Sequence, residues 1–210
     1  MKPVETLAKL EHLGHPLFET RDLAALLGVA NSSATRAANR LADSGAIVRL
    51  ARGKWSLTRK INRLAIPEHL TSPFPAYISL QSALYYHGMI SQIPAITYAV
   101  SLARTRTYQT PVGTFSIHHV AASFFFGFAL DPAGSAKVAI PEKALVDLLY
   151  FRPARSRTFV SLPELELPAT FDWRKAFEIV KRINSSARRH FATEQLNSIR
   201  AALRQSASQR

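Results

Sequence analysis

The segment from Thr20 to Leu57, TRDLAALLGVANSSATRAANRLADSGAIVRLARGKWSL, constrains the fold more than any other part of the chain. Leu23, Leu26 and Leu27 recur at the three-and-four spacing of one apolar helical stripe, and Thr20 is placed to cap that helix. Gly28 then closes it, because glycine enters the left-handed conformation without strain. A cap at Asn31 or Ser32 opens a second helix that ends before Gly45. After Gly45 the residues turn to strand chemistry: Ile47, Val48 and Leu50 lead into the turn Ala51-Arg52-Gly53-Lys54, and Trp55, Ser56 and Leu57 return. Two short helices, a tight turn and a two-stranded ribbon are, in that order, the parts of a winged helix-turn-helix.

The second helix has two chemically distinct faces. At roughly 100° per residue, Ala34, Ala37, Ala38 and Leu41 fall in one narrow arc, small enough to let the first helix approach closely. Ser32, Arg36, Asn39, Arg40 and Asp43 point the other way, with Ser33 and Thr35 at the edges. Arginine offers a bidentate fork to guanine, asparagine does the same for adenine, and serine or threonine reaches phosphates or either base. This face fits a major groove. Arg36, Asn39 and Arg40 are the expected base readers, flanked by Ser32, Ser33 and Thr35, and Arg52 and Lys54 at the hairpin tip are the expected wing contacts to backbone or minor groove.

The charge balance agrees with a polyanionic partner: 27 Lys and Arg against 14 Asp and Glu give a formal +13 over 210 residues. The excess is uneven. Arg36 to Arg63 holds eight cations against Asp43 alone, and Arg174 to Arg210 holds nine against Glu178 and Glu194, whereas residues 64 to 150 carry four of each sign. Two basic segments around a neutral core suggest two phosphate-facing surfaces, since charge attraction and counterion release supply most sequence-independent affinity for DNA. Arg59 and Lys60 after the hairpin, Arg155 and Arg157, and Arg188 and Arg189 are the candidates for these further phosphate contacts; a solvated loop is the competing reading for the later ones.

Cysteine is absent, which removes disulfides, thiolate metal sites and cysteine nucleophiles. No apolar run approaches the ~20 residues of a membrane span, and no signal core opens the chain. A cytoplasmic, nucleoid-associated protein is the expectation.

Along the chain, Val4, Leu7, Leu10 and Leu13 describe an amphipathic helix closed by Gly14, and Phe18 anchors the connector that follows. Pro67, Pro73 and Pro75 mark IPEHLTSPFP as a boundary rather than an element interior. The expected division is a DNA-binding domain over 1–63, a linker over 64–75 and a second domain over 76–210. In that second domain Ser79 caps a helix to His87. Residues 95–102 and 115–120 read as strands joined by a loop or a further short strand, and the phenylalanine-rich stretch 122–130 as a strand or buried turn. Pro141 opens a helix, Asp172 caps another through about Asn184, and a last helical region covers roughly 187–204.

Two stretches go beyond generic patterning. YISLQSALYYHGMI at Tyr77 to Ile90 and AIPEKALVDLLY at Ala139 to Tyr150 resemble signature segments of the AbiEi antitoxins, the antitoxin half of type IV toxin-antitoxin systems. The order of winged helix, proline-rich joint and these two helices matches that family over nearly the whole chain. The resemblance implies an α+β protein whose winged helix-turn-helix precedes a mixed α/β antitoxin-type domain. It implies a repressor that binds inverted repeats in its own operon and counters a nucleotidyltransferase-type toxin. An inverted repeat takes two copies on DNA, compatible with a monomer in solution. Composition and spacing support only the DNA half. A solitary regulator without a toxin and a toxin-binding interaction module are the alternative readings.

The signs of an enzyme do not converge. His118 and His119 are neighbours in a strand and point to opposite faces, and none of the seven histidines has metal-ligand spacing. Gly134-Ser135 with Glu164 and Glu166 faintly resembles a nucleotidyltransferase constellation, but those glutamates sit between Pro163 and Pro168, on a connector. No catalytic residue, metal or cofactor is expected.

Overall fold

A computed structural model describes residues 3–58, 62–152 and 164–208, and the chain in it is a mixture of α-helix and β-sheet. The N-terminal part has the order α1 (Pro3–His12), β1 (Leu17–Glu19), α2 (Thr20–Leu27), α3 (Asn31–Asp43), β2 (Ile47–Ala51) and β3 (Lys54–Leu57). Its sheet is antiparallel with β3 in the centre, so that Phe18 faces Trp55 on one side and Arg49 faces Trp55 on the other. Leu10, Phe18, Leu23, Ala34, Ala38, Leu41, Ile47 and Trp55 form its core. The apolar arc read from α3 is the arc that is buried.

Both expected caps move by one residue. Glu19, with extended backbone, caps α2 in a reciprocal box with Asp22, whose Oδ2 accepts from the Glu19 N–H at 2.7 Å. Thr20 is already inside the helix, and its hydroxyl is drawn toward Trp55. Before α3 the cap is Ala30, with no side-chain hydrogen bond, because the chain emerges from the turn directly into helix at Asn31. Gly28 does close α2, at φ 63°, with Val29 N–H donating to Ala24 O at 3.1 Å.

The stretch read as a linker holds a helix, α4 (Ile66–Thr71). Pro67 lies in its first turn, where a missing N–H costs nothing. Ile66 and Leu70 of α4 are buried in a small cluster with Leu50 from β2 and Phe115 from the second part, with Leu17, Val48, Tyr108 and Val112 around it. This apolar contact joins the two parts. His69 of α4 sits beside it, hydrogen-bonded to the Phe18 backbone, with Nε2 buried and without a hydrogen-bond partner among the described residues.

Burial, then the nearby Lys54 charge, push the His69 pKa down to about 4 from 6.5. The unfolded chain therefore takes up a proton that the folded chain refuses as pH falls from 6.5 toward 4. Stability is full above that window and declines within it. Burial brings His118 to about 4 as well, with the same sign. Melting temperature is expected to drop between pH 7 and pH 5, and His69→Gln to flatten part of that drop; an identical pH profile in the variant would remove His69 from the account.

The second part is built on a six-stranded mixed sheet in the order β6-β7-β5-β4-β9-β8, with β4 (Ala76–Ile78), β5 (Ile96–Ser101), β6 (Arg106–Thr110), β7 (Gly113–His119), β8 (Phe128–Leu130) and β9 (Lys137–Ala139). β5 runs parallel to β7, and β6 is the further strand that returns the chain between them. Residues 122–130 are split between a 3-10 turn, Ala122–Phe124, and β8. Helices α5 (Leu80–Tyr86), α6 (Pro141–Phe151), α7 (Trp173–Lys181) and α8 (Ser186–Ser208) contribute to the same core as the sheet. Asp172 caps α7 as read, accepting from Arg174 N–H at 2.8 Å and Lys175 N–H at 3.2 Å.

The two signature stretches meet inside this core. Asp147 Oδ2 accepts from Tyr77 OH at 2.9 Å and from Ser79 Oγ at 2.7 Å, while Oδ1 accepts from the Lys143 ammonium. Lys143 and Asp147 are both 0% exposed. Lys143 Nζ also lies 3.6 Å from the centre of the Phe124 ring and 5.1 Å from that of Phe126. Gly127 makes room for its stem: a Cβ there would stand 3.1 Å from Lys143 Cγ. Burial pushes the Lys143 pKa down and raises that of Tyr77.

Candidate nucleic-acid interface

The polar face of α3 is open to solvent: Asn31, Ser32, Thr35, Arg36, Asn39 and Arg40 are exposed and Ser33 is half-buried. Within the helix Arg36 Nη2 donates to Ser33 Oγ at 3.1 Å, and Thr35 Oγ1 donates to Asn31 O at 2.8 Å. These local bonds set side-chain direction without covering the face. The backward bond of Thr35 uses its proton and leaves its lone pairs free to accept.

Between α3 and the β2–β3 hairpin lies an open cleft of about 440 Å³. Asn31, Thr35 and Asn39 line one wall, Arg49 and Arg52 the other. Its floor is Thr20 and Trp55. Trp55 is 2% exposed, and its Nε1 donates to Thr20 Oγ1 at 3.0 Å, while Thr20 N–H donates to Gly53 O at 2.9 Å. The hairpin tip is thereby tied to the first residue of α2. The Arg49 guanidinium lies 5.7 Å from the centre of the Trp55 ring.

The two hairpin cations differ in setting. Arg52 is exposed at the turn. Lys54 turns inward, with 15% of its side chain exposed and Nζ 2.7 Å from Glu19 Oε1. Glu19 Oε2 also holds Arg21 Nε at 3.1 Å. The hydrogen bond from Lys54 holds the Glu19 carboxyl below its ordinary pKa, aided by Ser72 and Arg21.

Among the other candidates, Arg59, Lys60, Arg155 and Arg157 lie outside the described residues. Arg188 stacks at 4.8 Å over the Tyr150 ring, and Arg189 Nη1 donates to Ile183 O at 2.8 Å. Both are engaged within the second part rather than gathered with α3. Sequence reasoning missed Glu19, Arg21 and Arg49 as cleft residues. The first had one local signal, an acidic residue three positions before Asp22 in a capping box; the pairing with Lys54 had none, because it depends on the register of β1 against β3.

Among the described residues no group of three His, Asp or Glu side chains is placed to hold a metal, and no helix is long and apolar enough to cross a membrane. His118 Nε2 is within hydrogen-bonding distance of Ser116 Oγ at 3.1 Å, and His119 Nδ1 of Ala103 O at 3.1 Å.

Residues 5–58, which run from within α1 through β3 and include the whole cleft, match a family model described as transcriptional regulator, AbiEi antitoxin. This is the family that the Tyr77 to Ile90 and Ala139 to Tyr150 motifs resemble, and it is one of antitoxins that act as transcriptional regulators. No curated protein matches the chain.

Proposed function

We propose that this AbiEi-type chain is a sequence-specific, double-stranded DNA-binding repressor whose N-terminal part works as a winged helix-turn-helix. The observation that carries the reading is the exposed polar face of α3 standing beside a cation-walled cleft. With α3 in a major groove, Arg36, Asn39 and Arg40 reach base edges, and Ser32, Ser33 and Thr35 reach phosphates or bases. Arg49 and Arg52 then face the backbone that passes through the cleft. The +13 charge supplies the sequence-independent attraction.

In this reading the chain regulates its own operon through an inverted repeat, two copies to a site, and associates with the nucleoid. Its second part, 76–210, opposes a toxin of the nucleotidyltransferase class; that half is supported by the resemblance of its two signature motifs, beside an AbiEi antitoxin match that covers residues 5–58. The proposed role needs no catalytic residue, metal or cofactor.

Footprinting on DNA upstream of the gene, followed by titration of the protected duplex, tests the proposal. Arg36→Ala or Asn39→Ala is expected to cost ~1–3 kcal/mol on the protected duplex and much less on a random one. An equal loss on both would assign these residues to phosphate contact only. Absence of any footprint and of any salt-dependent binding would sink the reading.

A further inference from the structure

We infer that Glu19 sets the specificity of the cleft: its resident carboxylate keeps Lys54 and Arg21 occupied, so that a DNA phosphate gains those cations only by displacing it. The inference rests on the DNA-binding reading and concerns the same surface.

Among the described residues lining the cleft Glu19 is the one acid. It is held from three directions: Lys54 Nζ at 2.7 Å, Arg21 Nε at 3.1 Å, and the Ser72 hydroxyl just beyond the end of α4; Arg21 Nε also lies 3.9 Å from Asp22 Oδ1, so that Lys54 is the cation Glu19 holds most closely. Capping α2 does not explain the choice of residue, because serine, threonine, asparagine and aspartate are the preferred caps and glutamate is not among them. A position paired across β1 and β3 with Lys54 explains it better.

The consequence follows from how the two kinds of DNA affinity arise. Non-specific binding scales with the number of phosphates neutralised, whereas base readout depends on the α3 face. A carboxylate that occupies two cations and repels an entering phosphate weakens the first and leaves the second nearly untouched. Discrimination is the difference between affinities, so weakening the wrong complex sharpens it. Among the described residues Glu19 makes its ion pairs with Lys54 and Arg21, and Arg49 and Arg52 remain for the backbone.

The test compares the full-length chain with E19Q on a random-sequence duplex and on the footprinted duplex, by fluorescence anisotropy over a series of KCl concentrations. Glutamine keeps the length and an oxygen to accept from Asp22 N–H, so that α2 retains its cap. E19Q is expected to bind the random duplex about tenfold more tightly at low salt, with the log–log salt slope steeper by about one to two. Its gain on the footprinted duplex is smaller, so the specificity ratio falls. The triple variant E19Q/R21M/K54M returns random-duplex affinity to the wild-type level or below. A folded E19Q that binds random DNA no better than wild type overturns the inference, as does a gain that survives loss of both cations. Should E19Q melt early, E19S supplies a preferred cap and the same comparison. Failure of the wild-type chain to bind either duplex would instead remove the DNA reading itself, and this inference with it.

Discussion

Replacing Asp147 with alanine is expected to cost about 3–5 kcal/mol of folding stability, enough to leave the second part marginal. The carboxylate is 0% exposed and accepts from Tyr77 at 2.9 Å, Ser79 at 2.7 Å and the Lys143 ammonium. Its removal strands a cation and two hydroxyls in the core. The aromatic rings around Lys143 compensate only in part, since a ring face is a poor substitute for a counter-ion. Urea unfolding measures the effect, with an unchanged slope required for the loss to be assigned to the native state. The companion variant Lys143→Met/Asp147→Leu replaces both charges by apolar groups of similar volume and is expected to be milder, because no charge is stranded and the cost is confined to the Tyr77 and Ser79 hydroxyls that lose their acceptor. A single variant as mild as the double one would mean that the network is slack rather than closed.

That network also shows where sequence reading stops. The α6 stretch was legible as a helix because Ala144, Leu145, Leu148 and Leu149 repeat locally and Pro141 starts it well. Its burial on every side was not. Nothing in the local sequence marks Lys143 and Asp147 as buried, or reveals that Tyr77 and Ser79, about seventy positions earlier, supply the hydrogen bonds that let the charges stay inside. The three-residue strands β1, β4 and β9 escaped notice because three residues carry no periodicity; β1 is held by β3 and β4 by β9, partners distant in sequence, whereas β9 also pairs locally with β8.

At the candidate interface the division is similar. The outward face of α3 was readable from helical spacing alone, and its alanine arc is buried as that spacing requires. The caps fell one residue away because capping depends on backbone geometry rather than residue preference. Lys54 was taken for a free tip cation; its partner Glu19 lies 35 positions away and meets it through strand register. Local chemistry thus predicted the face, and tertiary pairing decided which charges on it are free.

Trp55 is the residue on which the cleft's shape depends most, and Trp55→Ala is expected to lower stability by about 3–5 kcal/mol while weakening DNA binding in whatever remains folded. The indole fills the N-terminal core between Phe18 and Arg49, and its Nε1 holds Thr20, whose own N–H holds Gly53. Deleting the ring opens a cavity under the cleft and removes the donor to Thr20 Oγ1, which leaves the Thr20 N–H to Gly53 O bond as a hydrogen-bonded tie between the hairpin tip and α2. Trp55→Phe separates the two contributions: it keeps most of the volume and gives up the hydrogen bond to Thr20, worth about 1 kcal/mol. Thermal unfolding and duplex titration at a temperature well below melting read them independently. With Phe, modest destabilisation and a several-fold loss of affinity for the footprinted duplex are expected, because Thr20 loses the bond from the indole and the tip that carries Arg52 is left with the Thr20 N–H to Gly53 O bond to α2. Affinity unchanged in Trp55→Phe would mean that the hairpin is positioned by packing alone, and that the Trp55–Thr20–Gly53 chain of hydrogen bonds serves stability without serving recognition.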